Sequence, residues 1–539
     1  MKKYFLKNKK ICVQYFILIV MNALIPVLSA QWITGMTGFA LRENDDLFYL
    51  IVSLGLICVY TLSVYWFYDA IKRKYKESLM VEIEQDMAEA IVLQTQDSFH
   101  RYDSSFYTSF FLNDLKLLEE SVLTQIPILI SGIVQMVLVG FYVVISVNWW
   151  VLFYFLISSI ILLWIPKLMS KKIQERTQIS TEQAGKMTTF LKEMFQGFDV
   201  LTGNHVQDVY IQHTRSQFEQ YESARQGLNW ITSISGSLSN GCGLFFQFIL
   251  LLILGIGVTQ GKVGADYLIS ITSIASTFMN GVFVVTGAFS YLQTSKPIVK
   301  KLKEFQKNPR IQFIKKLPEV QTLSLNGVRY SIGSRTLLND CSYMFERGKK
   351  YLIIGESGSG KTTLFNLLNG RLMCEQGKIE IKGAEEQTLA VPLFEAMTTI
   401  TQKPASFQGT VKTNIQMFRT ITDSRLNSLL KSVHLPISCL EQKIDEDSGS
   451  VSGGEMQRIS IARALVDSRS FLLCDEITAN LDPQSAEIVE QAVTSLKSTG
   501  ILYIAHHYSD KTLKNFDVVL ELKNGKLIER KIGDNTESI

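Results

Sequence analysis

The chain alternates long stretches without a single charge and long stretches dense in charge, and this pattern sets its architecture before any motif is read. Five strongly apolar runs lack Asp, Glu, Lys and Arg: residues 11–41, 47–68, 121–166, 226–261 and 267–295. About 20 apolar residues cross the hydrocarbon core of a bilayer as a helix, so four of these runs accommodate one span each. The run 121–166, at 46 residues, is too long for one helix and carries Asn148, Trp149 and Trp150 near its middle. A polar break beside indoles is what a hairpin turning at the headgroups requires. The pattern predicts six transmembrane helices, approximately at 11–41, 47–68, 121–146, 149–166, 226–261 and 267–295.

The connections predict the topology. Residues 42–46, the turn at Asn148 and residues 262–266 are short, whereas 69–120 and 167–225 are long, charged and helix-like. Lys2, Lys3, Lys7, Lys9 and Lys10 precede the first span; Lys72, Arg73, Lys74 and Lys76 follow the second; Lys167, Lys171 and Lys172 follow the fourth. Cytoplasmic loops retain the positive charge. Both termini and both long connections are therefore expected in the cytoplasm of a multi-pass cell-membrane protein. A cleavable signal peptide at 11–30 is disfavoured by the length of the run and by the five spans after it. With ten residues before the first span, no fused peptidase domain is expected. The long connections are expected to prolong the spans as helices, at about 1.5 Å per residue. Aromatic residues interrupt them at 99–111 (FHRYDSSFYTSFF) and 190–204 (FLKEMFQGFDVLTGN), either as local hairpin packing or as a coupling surface onto a second domain.

Composition agrees with this division. The chain has 539 residues, of which 47% are hydrophobic and 19% charged; soluble domains average roughly 25% charged. Disorder and a wholly soluble chain are excluded, and a net charge of +4 offers no field for a nucleic-acid partner. Seven cysteines, at 12, 58, 242, 341, 374, 439 and 474, show no metal spacing and read as free thiols. All six tryptophans precede residue 231, so the two halves are built differently. The expected organisation is a transmembrane domain at 1–295, a lysine-rich linker at 296–319 that touches anionic headgroups, and a globular domain at 320–539.

Chemistry concentrates in that last domain. A strand at Lys350–Ile354 runs into Gly355, Glu356, Ser357, Gly358, Ser359, Gly360, Lys361, Thr362 and Thr363, which fits G-x-x-x-x-G-K-[ST] in a strand–loop–helix setting. Its glycines let backbone N–H groups face phosphates, and the helix that follows points its positive end at them. Lys361 is placed to reach the β- and γ-phosphates of ATP, and the Thr362 hydroxyl to ligate Mg²⁺. A second apolar strand, Phe471–Asp475, delivers Asp475 to the Mg²⁺ shell and Glu476 to the attacking water as general base.

Between them lies Val451-Ser452-Gly453-Gly454-Glu455-Met456-Gln457, opening a helix. Together with the Gly355–Thr362 loop and the Asp475–Glu476 pair, Ser452-Gly453-Gly454 resembles the signature motif of ATP-binding cassette proteins. The six-span half resembles the membrane domain of exporter-type half-transporters, among them bacterial multidrug and peptide exporters. The resemblance covers nearly the whole chain, with the motifs in fixed order: 91 residues separate Lys361 from Ser452, 23 separate Ser452 from Asp475, and 31 separate Asp475 from His506. It implies an all-α six-helix transmembrane domain followed by an α/β P-loop ATPase domain with an α-helical subdomain. It implies further that Gln402 senses Mg²⁺ and the attacking water, that His506 contacts the γ-phosphate, and that Asn480, Leu481 and Asp482 form the loop crossing to a second cassette. Ser452, Gly453 and Gly454 serve the phosphates bound by the other cassette. The chain must then pair, most simply with a second copy, and otherwise with a different half-transporter.

Three positions depart from the family pattern. The usual Leu-Ser-Gly-Gly-Gln reads Val451-Ser452-Gly453-Gly454-Glu455, which adds a carboxylate near the phosphate donors and weakens ATP capture. Ile332 stands where the family stacks an aromatic on adenine, and Tyr330, two residues earlier, is the candidate for that contact. The acidic Asp445-Glu446-Asp447 lies where the coupling helices are expected. The implied function is ATP-driven export by alternating access in a dimer, and the alternatives are a siderophore importer of the same fold or a cassette-gated regulator or channel. The charge-free runs disfavour a soluble ATPase of the DNA-repair or translation type. A cavity lined by Asn22, Gln31, Gln125, Gln135, Asn240, Gln247 and Asn280 suits a hydrophobic or amphipathic peptide, drug or lipid; these amides serve equally as interhelical hydrogen bonds.

Overall fold

A computed structural model describes residues 2–42, 47–146, 149–260, 265–311, 319–384, 387–389, 392–444, 451–467, 469–479, 481–505 and 510–530. They form two compact units, one of Met1–Gln94 with Arg101–Arg310, the other of Thr95–His100 with Ile311–Ile539.

The first unit is helical. Among the described residues, six helices are long and apolar enough to cross a membrane. Lys9–Arg42, Leu47–Val92, Trp149–Gln196, Gln207–Thr259 and Ala265–Lys307 each contain one, and the remaining one ends in Gln125–Ser146. Most outrun their apolar stretch. Leu47–Val92 continues 24 residues past Tyr68, about 36 Å of helix. The lysine-rich stretch expected to be a linker is helical as far as Lys307.

Burial here reverses the soluble pattern. Trp66, Phe67, Phe141, Phe245 and Phe248 are exposed, whereas Ser158, Ser159, Ser235, Ser239 and Ser290 are buried. Exposed rings of this kind suit the apolar surroundings of a bilayer. Most of the buried hydroxyls bond their own helix, Ser158 and Ser159 donating to Phe155 O at 2.9 and 2.6 Å and Ser239 to Ser235 O at 2.9 Å, whereas Ser235 and Ser290 bond each other between helices at 3.1 Å. Pro26, Pro166 and Pro297 sit inside helices, which membrane helices tolerate where neighbours re-satisfy the freed carbonyls.

The approach to the third span departs from a simple helical extension. The chain breaks after Val92, forms the short helices Gln96–Phe99 and Ser104–Ser109, and then makes two π-helical turns, Phe110–Asp114 and Glu119–Leu123. Each π turn loosens the carbonyl ladder, and at the second one side chains bond the carbonyls. Ser121 donates to Leu117 O at 2.6 Å, Thr124 Oγ1 to Glu119 O at 3.1 Å, and Gln125 Nε2 to Glu120 O at 3.3 Å. The first turn places Asp114, 3% exposed, against Lys301, whose Nζ donates to Asp114 Oδ2 at 2.7 Å.

The helices Gln125–Ser146 and Ala265–Lys307 touch at glycines. A Cβ on Gly132 would stand 2.9 Å from Gly281 O, and one on Gly281 would stand 2.9 Å from Met136 Cγ. Small residues permit this backbone approach, which supplies van der Waals contact where lipid gives no hydrophobic drive between helices.

In the second unit the main sheet runs Lys526–Arg530, Val518–Lys523, Lys350–Ile354, Gly500–Ile504, Phe471–Asp475, Met397–Ile400, parallel except for the edge hairpin. Successive residues feed opposite faces. Leu352, Ile354, Leu472, Cys474, Ile501 and Tyr503 join a core with the helices Val411–Gln416, Asp423–Ser432 and Gly453–Ala464. Tyr351, Ile353, Phe471, Leu473, Leu502 and Ile504 join another under the antiparallel sheet of Arg335–Glu346, Thr322–Ile332 and Gln376–Lys382. Burial on both faces explains why the central strands read as unbroken apolar runs. The α/β domain with its helical subdomain and the six-helix membrane half are thus both present as expected.

Two outcomes check the packing of the first unit. Gly281→Val should cost about 1–3 kcal/mol by overpacking and lower the unfolding midpoint in detergent, whereas Gly255→Val, whose Cβ meets nothing within 4 Å, should leave it unchanged. Lys301→Met should cost about 3–5 kcal/mol, because it strands a buried carboxylate; the same thermal measurement reads it.

Candidate functional site

The buried strand Lys350–Ile354 delivers the loop Gly355–Gly360 to the carboxyl edge of the sheet, and the helix Lys361–Leu368 begins there. Glycine is required at both ends of the loop. A Cβ on Gly355 would stand 2.8 Å from Leu522 O, and Gly360, the residue before the helix, has φ +104°. Glu356, Ser357 and Gly358 are exposed, so the loop's concave face is open to solvent.

Lys361 is the centre of the site. Its side chain is 4% exposed, and Nζ donates to Gly355 O at 2.7 Å and Glu356 O at 3.0 Å. Burial pulls its ammonium below the usual lysine range, and the carboxylates of Glu476 and Asp475 push it back up. A third donor of the ammonium remains for an anion. Ser359 Oγ is buried with no hydrogen-bond partner among the described residues. A helix N-terminus, a buried cation and an unsatisfied hydroxyl converge on one open loop, and the loop therefore fits a polyphosphate.

The carboxylates sit opposite. Asp475 ends the strand Phe471–Asp475. Glu476 follows with a left-handed backbone, φ +49°, and its N–H donates to Ile504 O at 3.1 Å. That conformation costs a non-glycine residue about 1 kcal/mol and turns the chain at the sheet edge. Gln402, just past Met397–Ile400, donates from Nε2 to Glu476 Oε2 at 3.3 Å. Thr362 and Thr363 lie on the first turn of the helix, with Thr362 exposed. Thr362, Asp475 and Gln402 offer only oxygen ligands, as Mg²⁺ prefers, and a site of one or two protein carboxyls completed by phosphate oxygens suits it. Among the described residues no three His, Cys, Asp or Glu side chains gather into a metal site.

Other expected residues stand elsewhere. Ser452 is exposed and caps the helix Gly453–Ala464, and Gly454 is buried where a Cβ would meet Ser485 Oγ at 2.9 Å. Among the described residues none of Ser452, Gly453 and Gly454 hydrogen-bonds to the Gly355–Thr363 loop. Tyr330 is half-buried against the core, whereas Ile332 is 59% exposed. A bulge between Tyr330 and Ser331 breaks the two-residue alternation on which a shared face depends. Leu481 and Asp482 are described, and Asp482 caps Pro483–Thr494. His506, Asn480 and the acidic 445–447 lie outside the described residues.

Two hydrogen bonds and one charge interaction lie beyond what sequence reasoning reached. Arg335 Nη2 donates to Gly358 O at 3.1 Å, Gln457 Nε2 donates to Thr401 O at 3.3 Å, and Arg371 lies close enough to Asp475 to feel its charge. The second ties the signature helix to the segment that bears Gln402. Within this same unit Gln96 shares an open cavity of about 430 Å³ with Arg371, Thr401, Arg463 and Arg469.

In the membrane unit the amides divide. Gln135 Nε2 donates to Thr277 O at 2.9 Å and Gln247 Nε2 to Ser276 Oγ at 2.7 Å, both between helices, whereas Gln31, Asn240 and Asn280 are exposed. The aromatic interruptions divide too. Tyr107 and Phe110 are buried with Phe305, whereas Phe195 and Phe198 are exposed.

Comparison with known proteins agrees with this geometry. Residues 11–282 match the family model of the ABC transporter transmembrane region, and residues 338–479 match that of the ABC transporter. The ATP-dependent lipid A-core flippase of Desulfotalea psychrophila is 25% identical over 90% of this chain and 87% of its own. The mycobactin import ATP-binding/permease protein IrtB of Mycolicibacterium smegmatis is 31% identical over 38% of this chain and 36% of its own. Among solved structures, a bacterial Atm1-family ABC exporter with ATP bound superposes with a TM-score of 0.82 at 15% identity, covering 97% of this chain and 94% of that one. The chain belongs to the ABC transporter family, as an exporter-type multi-pass membrane half-transporter whose single cassette couples ATP hydrolysis to transport.

Proposed function

We propose that two copies of this chain pair to export a hydrophobic or amphipathic substrate, lipid-like in character, across the cell membrane, with both termini and the cassette in the cytoplasm. The observation that carries the substrate class is the neutrality of the spans: five long runs have no charge, and Asn240 and Asn280 remain exposed to meet a cargo's polar part. Similarity to a lipid A-core flippase along most of the chain supports the same class.

The cassette residues take these roles. Lys361 and the backbone N–H groups of Gly358–Thr363 neutralise and orient the β- and γ-phosphates. Thr362, Asp475 and Gln402 would hold Mg²⁺, which would supply charge neutralisation to the bound polyphosphate. Glu476 accepts the proton of the attacking water as the bond to ADP breaks, and Gln402, bonded to Glu476 at 3.3 Å, holds that carboxylate and the water in register. His506 contacts the γ-phosphate, and Ile332 or Tyr330 covers the adenine. Ser452, Gly453 and Gly454 complete the site of the second copy, in line with their separation from this chain's own loop. Closing two such sites drives the helices from inward to outward access, and ATP biases that equilibrium only by preferring the closed form. The movement passes through the helix tips at 99–111 and 190–204, where Phe195 and Phe198 are exposed.

Import is the second reading, favoured by the likeness of 38% of the chain to a mycobactin import protein. Two measurements test the proposal. Glu476→Gln should lower phosphate release by at least about 100-fold while ATP binding is retained, the usual share of a general base; undiminished turnover would remove Glu476 from that role. In oriented vesicles with ATP added on the cassette side, labelled lipids or amphipathic peptides should leave the cassette-side leaflet and stimulate ATP turnover; movement toward the cassette side would establish import.

A further inference from the structure

The signature segment of this chain carries its own anion. Ser452 caps the helix Gly453–Ala464, and Glu455 on its first turn completes a reciprocal box. The Ser452 N–H and hydroxyl both donate to Glu455 Oε2 at 2.9 Å, and the Glu455 N–H donates to Ser452 Oγ at 3.2 Å. A serine hydroxyl has one proton. While that proton goes to Glu455, Ser452 has none to give a phosphate. Hydrogen bonds from Ser452, backbone first, and the charge of Arg458 hold the Glu455 carboxyl below the usual carboxylate range, so it is ionised at neutral pH. The carboxylate also occupies the positive end of the helix, the place an incoming anion would use.

We propose that Glu455 is a positioning residue that restrains the Ser452 hydroxyl and thereby raises the ATP concentration at which two cassettes close. This rests on the reading that Ser452 donates to a triphosphate held by a second copy. To reach that triphosphate the hydroxyl must turn from carboxylate to phosphate, and two anionic groups then share one helix end. A glutamine at this position keeps the box without that conflict. With its amide oxygen in the place of Glu455 Oε2 it still accepts the Ser452 N–H, and it holds the hydroxyl only through a neutral, weaker hydrogen bond that a phosphate outcompetes. The carboxylate is therefore dispensable for the cap and decisive for what the serine offers.

The test uses the full chain in lipid and compares the parent with E455Q, S452A and the double variant, reading KM for ATP, kcat and the unfolding midpoint. E455Q should lower KM roughly three- to tenfold, the difference between charged and neutral hydrogen bonds, with kcat within about twofold. S452A should raise KM, and E455Q should have no effect in its background. An unchanged or raised KM in E455Q, with S452A impaired, overturns the role of Glu455 and leaves the cross-dimer role of Ser452 standing. Unchanged KM and kcat in S452A overturn that cross-dimer role and this inference with it. A lower unfolding midpoint for E455Q with KM unaltered marks Glu455 as a cap alone and also overturns the proposal.

Discussion

A lysine ammonium buried at the edge of a parallel sheet is the constraint around which the second unit is organised. Lys361 is 4% exposed and is held by two carbonyls of the loop that precedes it. A buried cation is costly unless paired, and the nearest counter-charges, Asp475 and Glu476, arrive on a different strand. The sheet order settles how they meet. Gly500–Ile504 lies between Lys350–Ile354 and Phe471–Asp475, which keeps ammonium and carboxylates one strand apart and leaves a gap at the edge for phosphate. The glycines of the loop, the left-handed Glu476 and the double burial of the strands all serve that gap.

The membrane half was legible because solvent writes directly into sequence there. A bilayer admits almost no charge, so the charge-free runs report the spans. What hydropathy does not report is where a helix stops. Leu47–Val92 passes through Asp69, Lys72 and Glu77 without a break, because helix continuity depends on propensity and packing rather than on polarity. The π turns before the third span were equally hidden. At the second of them Ser121, Thr124 and Gln125 bond backbone carbonyls, and a serine or threonine in a helix gives no sign of that in sequence.

In the cassette, chemistry that is local in sequence was readable and chemistry assembled across the sheet was not. The Gly355–Thr362 loop is one continuous segment, and Asp475 and Glu476 end one apolar strand. Gln402 and Glu476 meet across 74 residues, and only the family resemblance suggested the pair. Arg335 and Gln457 reach Gly358 and Thr401 through contacts that no spacing encodes. Tyr330 shows the limit of counting along a strand. One bulge between Tyr330 and Ser331 shifts the register, after which two residues no longer guarantee one face.

Glu455 marks where local and functional optima part. For an isolated helix, serine at the cap with glutamate three residues on is among the best beginnings available, since two orphan N–H groups are satisfied and a negative charge meets the positive dipole. For a helix whose beginning must also receive a phosphate, the same charge stands in the ligand's place. A neutral side chain there would satisfy both demands, so the carboxylate is not explained by folding. Sequences that specify their fold consistently tend to break a local rule at functional sites. Here the local rule is kept to the letter and the conflict falls on the ligand, which is what a residue that tempers nucleotide capture would produce.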